Sequence, residues 1–428
     1  MRPFAASTTA GRMLASQLGS GAVRRLLLVA VCVFGLAMAG CSGGEIPAAG
    51  SSAPPMVTAA REPIDTADAG AEPADERAPT TAPLRPGAGV EVTAGTQTGQ
   101  WGRFRAEIYR QLLGELGYEV PVLWEAGPNV AYLWMAAGDL DYWTDGRLPS
   151  HEVWLDGESF DGSRVGDHVS VVGEQMPVGN VVGWLISKSF ADEHGVFTMD
   201  DLNRDAAALA AFDAADAVPG NGKADVFSLV GLYGRIAESQ AAFSGWDNIA
   251  FVSIGDEEMI ERVVAAVNAD APVAMFVGTP LALTAALEIG TDVYWLGVEQ
   301  ILDDSNPLGH LEGELFSQAT RGHDGAGGYA AISTKECPAA ASRPDGLCPL
   351  GWVANDIAVV ARNEFLAANP AAATLLEAVT LPSTDVSQAL AQQADGSDPA
   401  TLATEWIAAH RALADEWLAA ARSAASHG

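Results

Sequence analysis

The apolar positions of this chain follow a helical period over residues 101–117 and form short runs on either side. Apolar side chains three or four positions apart lie on one face of a helix, and Gly117 is a typical helix end. The flanking runs, "VEVTAG" and residues 118–123, are typical of short strands. The segment therefore predicts a strand–helix–strand unit. The predicted buried face of its helix consists of Phe104, Ile108, Leu112 and Leu116.

Similar units recur: residues 181–205 read as a strand that leads into a helix, and residues 269–298 as strand, helix and strand. The chain from residue 363 onward carries only helical patterns. Strands that alternate with helices indicate an α/β fold with mostly parallel sheets. The last pattern predicts one helix from Asp398, the N-cap, with Pro399 in its first turn. Its predicted apolar stripe is Leu402, Trp406, Ala409, Leu413 and Trp417.

One aromatic segment, "DYWTDGRLPSHEVW" at residues 141–154, fits neither period. Gly146 and Pro149 favour a loop there. Large aromatic rings in a loop must bury their faces, either against the core or against a ligand. For Trp143, His151 and Trp154 the pattern alone leaves both possibilities open.

The N-terminus is typical of an export signal. Residues 26–39 are apolar, follow Arg24 and Arg25, and are too few to span a bilayer comfortably. They end in "LAMAGC", which resembles a bacterial lipobox with Cys41 as the lipidated residue; an ordinary cleaved signal with an incidental cysteine is the alternative. Residues 42–86 have almost no large apolar side chains and predict a disordered tether. The domains are thus 1–40 (signal peptide), 41–86 (tether) and 87–428 (folded part).

Charge and cysteine content narrow the function classes. The formal net charge is −32, and −36 once the chain is cut before Cys41, so nucleic acid is not expected as a partner. Cys337 and Cys348 remain in the exported chain and predict one disulfide. No motif for a cofactor, metal or catalytic triad stands out, and the seven histidines do not cluster, which disfavours a secreted hydrolase. The oxygen-rich segment 213–225 is expected to be a solvated turn rather than a cation loop.

Four segments resemble the substrate-binding proteins of glycine betaine/proline importers of the ATP-driven (ABC) class. This resemblance implies a two-lobed α/β clamp, of the type II periplasmic-binding-protein kind, with C-terminal helices. Lobe A would comprise about 87–181 and 361–428, and lobe B about 182–360. Hinge strands would lie near Val182–Ile186 and Ile357–Val360. The segments that carry the resemblance are "PNVAYLWMAAGDLDYW", "FDAADAVPGNGKADV", "PVAMFVGTPLAL" and "NPAAATLLEAVTLPSTDVSQAL" with the helix after it.

In that family, aromatic rings hold a quaternary ammonium, which cannot donate hydrogen bonds and is attracted by ring faces. Trp143 resembles the first ring, in a Trp-Thr-Pro-x-His pattern that is interrupted here by residues 145–148. His151 would contact a ligand carboxylate. Tyr233 matches the second ring, and the backbone N–H groups of Gly234 and Arg235 would hold the carboxylate. The Arg235 side chain would either bind that carboxylate or pair with an acid such as Glu238.

The third ring is missing, because Gly278 stands before Thr279-Pro280 where the family has tryptophan. An open position there implies a bulkier ligand or another ring, for which Trp101, Trp154 and Trp352 are candidates. The resemblance thus predicts a monomeric, lipid-anchored extracytoplasmic protein that delivers a small zwitterionic or cationic solute to an ABC permease. A sensory or scaffolding lipoprotein without transport is the alternative.

Overall fold

The computed structural model describes residues 84–216, 219–301 and 328–426. The predicted signal peptide, Cys41 and nearly all of the tether lie outside these residues. Within the described ranges no helix has the length and apolar character that crossing a membrane requires.

The first part of the chain, up to Asn180, alternates strands and helices. The predicted strand–helix–strand unit is present, but its second strand is Leu123–Glu125 instead of residues 118–123. The face of the first helix that the sequence pattern selects is buried, with Phe104, Ile108 and Leu112 at most 3% exposed. The elements are β1 (Ala94–Thr96), α1 (Arg103–Glu115), β2 (Leu123–Glu125), α2 (Pro128–Ala137), β3 (Tyr142–Leu148), α3 (Glu152–Leu155) and β4 (Val169–Asn180).

The middle of the chain forms a second α/β unit with its own apolar core around Trp184, Phe212 and Phe276. Its elements are β5 (Val182–Ser187), α4 (Lys188–His194), α5 (Met199–Arg204), α6 (Ala206–Ala215), β6 (Ala224–Leu229), α7 (Leu232–Ser244), β7 (Ile249–Ile254), α8 (Asp256–Asn268), β8 (Ala274–Gly278), α9 (Leu283–Ala286), β9 (Val293–Leu296), β10 (Tyr329–Ala330) and β11 (Cys348–Pro349). The predicted disulfide between Cys337 and Cys348 is present, and both residues are buried.

The C-terminal part returns to the first unit through one long strand and then five helices. These are β12 (Asn355–Arg362), α10 (Asn363–Ala368), α11 (Pro370–Ala378), α12 (Ser383–Ala394), α13 (Pro399–Ala409) and α14 (Arg411–Ala425). Asp398 caps α13 by accepting the N–H of Thr401 at 2.9 Å, as predicted.

The predicted single helix after Asp398 is wrong, because the chain breaks at His410. The His410 ring stacks on Trp406, and its Nδ1 lies 2.9 Å from the Trp406 carbonyl oxygen, where it competes with the helix's own bonding. Because of this break, residues after His410 no longer lie on one continuous helical face with the apolar residues before it. Ala409 and Leu413 of the predicted stripe are exposed, whereas Trp417 stays in the core.

Two five-stranded sheets organise the described residues, in the orders β2-β1-β3-β12-β4 and β7-β6-β8-β5-β9. The prediction of mostly parallel sheets is only half right. In the first sheet β2, β1 and β3 are parallel and β12 is antiparallel to both of its neighbours. In the second sheet β7, β6 and β8 are parallel and β5 is antiparallel to both of its neighbours. Each antiparallel strand begins where the chain enters its sheet from the other lobe.

The predicted loop at residues 141–154 is also wrong, since its first half is the central strand β3. β3 pairs with β1 on one side and β12 on the other, so both of its faces are covered and no apolar–polar alternation is needed. Gly146 permits the close contact with β12, because a Cβ there would lie 2.6 Å from Val360 Cγ2.

The chain crosses between the two lobes at Val181 and again before Asn355. The predicted hinge segments therefore lie inside the sheets, and β12 belongs to lobe A rather than lobe B. At the crossing, Asn355 Nδ2 donates to Asn180 Oδ1 at 3.3 Å, and Asn180 Nδ2 donates to the Thr279 carbonyl at 2.7 Å. These buried amides connect both crossing strands with the loop that follows β8.

Candidate functional site

The candidate site lies where the carboxyl ends of the parallel strands of both lobes face each other, the usual place for ligands in open α/β sheets. Arg147, near the end of β3, reaches across from lobe A. Its Nη1 lies 3.4 Å from the hydroxyl oxygen of Tyr233, which stands in the first turn of α7 in lobe B. A small solute bound at this point would contact both lobes.

Tyr233 also fills the space beside Gly278. A Cβ added at Gly278 would meet the Tyr233 hydroxyl oxygen at 2.5 Å and its Cε1 at 2.8 Å. The phenol ring thus lies directly over the glycine, where a larger side chain would need to stand. The ring nearest to the position that lacks one is therefore Tyr233 rather than one of the three predicted tryptophans.

Those three tryptophans have different surroundings. Trp352 is 6% exposed in the core of lobe B, and Trp154 packs against the apolar cluster of lobe A that contains Trp143. Trp101 is half-buried, comes from the loop between β1 and α1, and packs against an apolar cluster of lobe B. Of the three, only Trp101 spans the lobes.

Trp101 lines a cavity of about 520 Å³, together with Gly99, Asp256, Leu281 and Leu390. Burial, reinforced by the neighbouring charge of Glu257, raises the pKa of Asp256 above its ordinary value. The cavity combines one aromatic face with carboxylates at the start of α8. Neither Arg147 nor Tyr233 is among the residues that line this acidic cavity.

Trp143 is completely buried, in contrast to the predicted open ring face. Its indole stacks on His151 with the ring centroids 5.9 Å apart and meets the edge of Tyr132 at 5.9 Å. Trp143 Nε1 has no hydrogen-bond partner among the described residues. This is a core environment in lobe A, so the prediction of an open ring face at Trp143 is wrong.

His151 is 8% exposed and is held by the turn after β3. Its Nδ1 accepts the backbone N–H of Arg147 at 3.1 Å, which places the proton of the neutral ring on Nε2. The Ser150 N–H donates to Asn355 Oδ1 at 2.8 Å, which ties the same turn to the lobe crossing. His151 thus orients the backbone that carries Arg147.

Arg105 and Asp145 form a buried ion pair in lobe A. Both side chains are 1% exposed. Asp145 also accepts hydrogen bonds from the Thr96 hydroxyl and the Gln97 N–H at 3.0 and 2.9 Å. Burial alone would raise the pKa of Asp145, but Arg105 and these donors hold it below its ordinary value. The network fixes the end of β1 against β3.

Gly234 and Arg235 stand in the first turns of α7, directly after Tyr233. The first N–H groups of a helix have no partner within it, so Tyr233 and Gly234 present N–H donors at the lobe B side. The Arg235 N–H is engaged, since it donates to the Gly231 carbonyl at 3.3 Å. The Arg235 side chain is exposed, and the ion pairs of the described residues do not join it to Glu238.

Arg147 is the site residue that the sequence analysis missed. Pro149-Ser150-His151 fit the end of the Trp-Thr-Pro-x-His pattern without a gap, and the ring of that pattern stands two places before the proline. That place is Arg147. Trp143, four places earlier, fits the same pattern only with a gap of residues 145–148.

The segment 213–225 forms a turn around one carboxylate. Asp213 Oδ1 accepts the N–H groups of Gly220, Asn221 and Gly222 at 2.9, 2.9 and 3.1 Å. The chain itself thus uses the oxygen that a cation would need. In the part of the chain that the structure describes, no group of three or more His, Cys, Asp or Glu side chains is placed to hold a metal ion.

Sequence comparisons relate the chain to transport proteins. Residues 90–409 match the model of the substrate binding domain of ABC-type glycine betaine transport systems. The glycine betaine/proline betaine-binding periplasmic protein of Escherichia coli K12 is 25% identical over 333 residues, 76% of this chain and 88% of that protein. The glycine betaine-binding periplasmic protein OusX of Dickeya dadantii is 26% identical over 336 residues, with the same two coverages of 76% and 88%.

Two solved structures are similar to this chain at low identity. Lactococcal OpuAC in its closed, glycine betaine-bound conformation is 15% identical with a TM-score of 0.48, over 77% of this chain and 99% of that one. An ABC-transporter choline-binding protein in complex with choline is 15% identical with a TM-score of 0.49, over 79% and 97%. Since the family model covers most of the sequence, this chain belongs to the family of substrate-binding domains of ABC-type glycine betaine transport systems.

Proposed function

We propose that this chain is the solute receptor of an ABC importer and that it binds a small betaine-like zwitterion in the cleft between its lobes. The observation that carries the proposal is the contact of Arg147 with Tyr233, in which side chains from the two lobes meet at the carboxyl ends of their sheets. The curated relatives named above are binding proteins for glycine betaine, which supports the same class of solute.

Capture would proceed by rotation of the lobes about the crossings at Val181 and before Asn355. A ligand that contacts both lobes binds the closed state better than the open state and so shifts the population toward closure. The closed form would be the one that a permease in the membrane recognises. The protein would act as a monomer.

Ligand binding is tested by calorimetric titration of the purified folded part with glycine betaine, carnitine, choline and proline. The proposal expects saturable binding of at least one zwitterion, with a rise in melting temperature that grows with ligand concentration. Absence of binding to all four solutes would contradict the proposed function.

We further propose that Cys41 carries a lipid that holds the exported protein at the membrane. Replacement of Cys41 with Ser removes the thiol that would be acylated, so the protein should appear in the soluble fraction or stay unprocessed. Cys32→Ser, within the predicted signal, is the matched control and should change neither property. Detergent partitioning that is the same for Cys41→Ser and the unaltered protein would end the lipid-anchor proposal.

A further inference from the structure

Arg147 is a half-buried cation at the contact between the lobes, and no carboxylate of the described residues forms an ion pair with it. The ion pairs of residues 84–216, 219–301 and 328–426 do not include Arg147. The chain as a whole holds 55 acidic and 23 basic residues, so pairing would be easy to achieve. A guanidinium without an ion-pair partner still has N–H groups that can donate hydrogen bonds to a ligand.

Asp145 is near enough to Arg147 for the arginine to lower its pKa. Its two oxygens are nevertheless occupied. They accept hydrogen bonds from the Arg105 guanidinium, the Thr96 and Thr144 hydroxyls and the Gln97 N–H. Asp145 is therefore a fixed part of lobe A and does not neutralise Arg147 through a hydrogen-bonded pair.

The surroundings of Arg147 disfavour a quaternary ammonium. A ring cage needs several aromatic faces, but here a guanidinium, one phenol and the glycine under that phenol meet. A fixed positive charge within about 5 Å of a trimethylammonium, in a half-buried site, is enough to weaken binding about 100-fold. The groups at that point suit an anion instead: the guanidinium and the Tyr233 hydroxyl, with Tyr233 itself in the first turn of α7.

We propose, building on the solute-binding function above, that Arg147 and the Tyr233 hydroxyl together bind the carboxylate of the solute. The carboxylate, and not a quaternary ammonium, is then the group that the cleft selects. The planar fork of arginine matches a carboxylate in two parallel hydrogen bonds, and such charge-assisted bonds are the strong ones. Because the two residues belong to different lobes, the carboxylate also holds the lobes together.

Four probes of nearly equal shape separate the two recognition elements. Glycine betaine has a cation and a carboxylate, choline has only the cation, 3,3-dimethylbutanoate has only the carboxylate, and 3,3-dimethylbutan-1-ol has neither. Calorimetric titration of the wild-type protein should give affinities for the two carboxylates within about 10-fold of each other. Choline and the neutral alcohol should bind about 100-fold more weakly than glycine betaine.

Variants assign the effect to one side chain. Arg147→Ala should weaken both carboxylates about 10- to 100-fold. It should not weaken choline, which should bind more tightly once the repulsive charge is gone. Arg147→Lys should fall between, because lysine keeps the charge and loses the planar fork. Arg204→Ala, which removes an exposed pair with Glu299 on the surface of lobe B, is the control and should bind as the wild type.

The results of these titrations distinguish a failure of the carboxylate inference from a failure of the proposed solute-binding function. Choline that binds as tightly as glycine betaine would overturn the inference while the solute-binding function stands. An Arg147→Ala variant with unchanged affinity for both carboxylates would do the same, as would a loss that appears in Arg235→Ala instead. If the wild type binds none of the four probes, the betaine-type function itself fails and the inference falls with it.

Discussion

Replacement of Trp143 distinguishes a core side chain from a ligand-binding ring. The indole is 0% exposed, stacks on His151 and packs edge-on against Tyr132. It also lies against the backbone of β1, since a Cβ at Gly95 would stand 3.0 Å from Trp143 Cδ1. Deletion of the whole ring leaves a cavity that β1 and β3 cannot close without moving.

Deletion of a buried tryptophan costs about 3–5 kcal/mol of unfolding free energy. For a domain of this size we expect Trp143→Ala to lower the melting temperature by about 5–10 °C. Trp143→Phe is the matched control. It keeps most of the apolar volume and removes the buried Nε1–H that has no partner among the described residues, so its cost should stay below about 1.5 kcal/mol.

Chemical denaturation gives the stability of each variant, and calorimetry at a temperature where the variant is fully folded gives its affinity. The affinity of Trp143→Ala should fall by less than about 10-fold, through a looser His151 turn alone. A variant that unfolds like the wild type but binds glycine betaine more than 10-fold more weakly would refute the core assignment.

Three further changes test particular contacts. Gly278→Ala should displace the Tyr233 ring, because the new Cβ would stand 2.5 Å from its hydroxyl oxygen, and weaken glycine betaine about 10-fold by calorimetry; unchanged affinity would contradict the placement of Tyr233. The double change of Cys337 and Cys348 to Ser should cost about 3 kcal/mol of unfolding free energy in urea, and a loss below about 1 kcal/mol would show that the bridge matters little. Burial and the charge of Asp225 raise the pKa of Asp216 to about 6, so the folded state binds this proton more tightly and stability is lost as pH rises from about 4 to about 6. Asp216→Asn should therefore raise the melting temperature more at pH 7.5 than at pH 4, and a difference that does not vary with pH would count against this.

The elements that the sequence predicts best are those whose periodicity arises from one buried face. The helix of Phe104, Ile108 and Leu112 is amphipathic because one side meets the sheet and the other meets water. The strand β3 could not be predicted in this way, because strands on both sides and layers on both faces remove any alternation. Gly146 is needed for close contact with the neighbouring strand β12 and does not form a turn. This role becomes visible only when the position of β12 is known.

The candidate site was predicted in part, for a related reason. Tyr233 and Gly278 were found because they keep their spacing from the family segments, and the structure brings them into contact. The place of Trp143 depends on register, since a side chain four positions before Arg147 on the same strand has quite different neighbours. The sequence does not show which of two nearby residues faces the cleft when both are compatible with a known pattern.

The proposed recognition depends on which chemical group of the solute lies against Arg147. A crystal structure of the protein with bound glycine betaine measures this directly. We predict that the carboxylate oxygens lie within 2.7–3.1 Å of the Arg147 guanidinium and the Tyr233 hydroxyl, with the trimethylammonium directed away from both. A trimethylammonium packed beside Arg147 and Tyr233, or a ligand bound outside the cleft, would contradict the account.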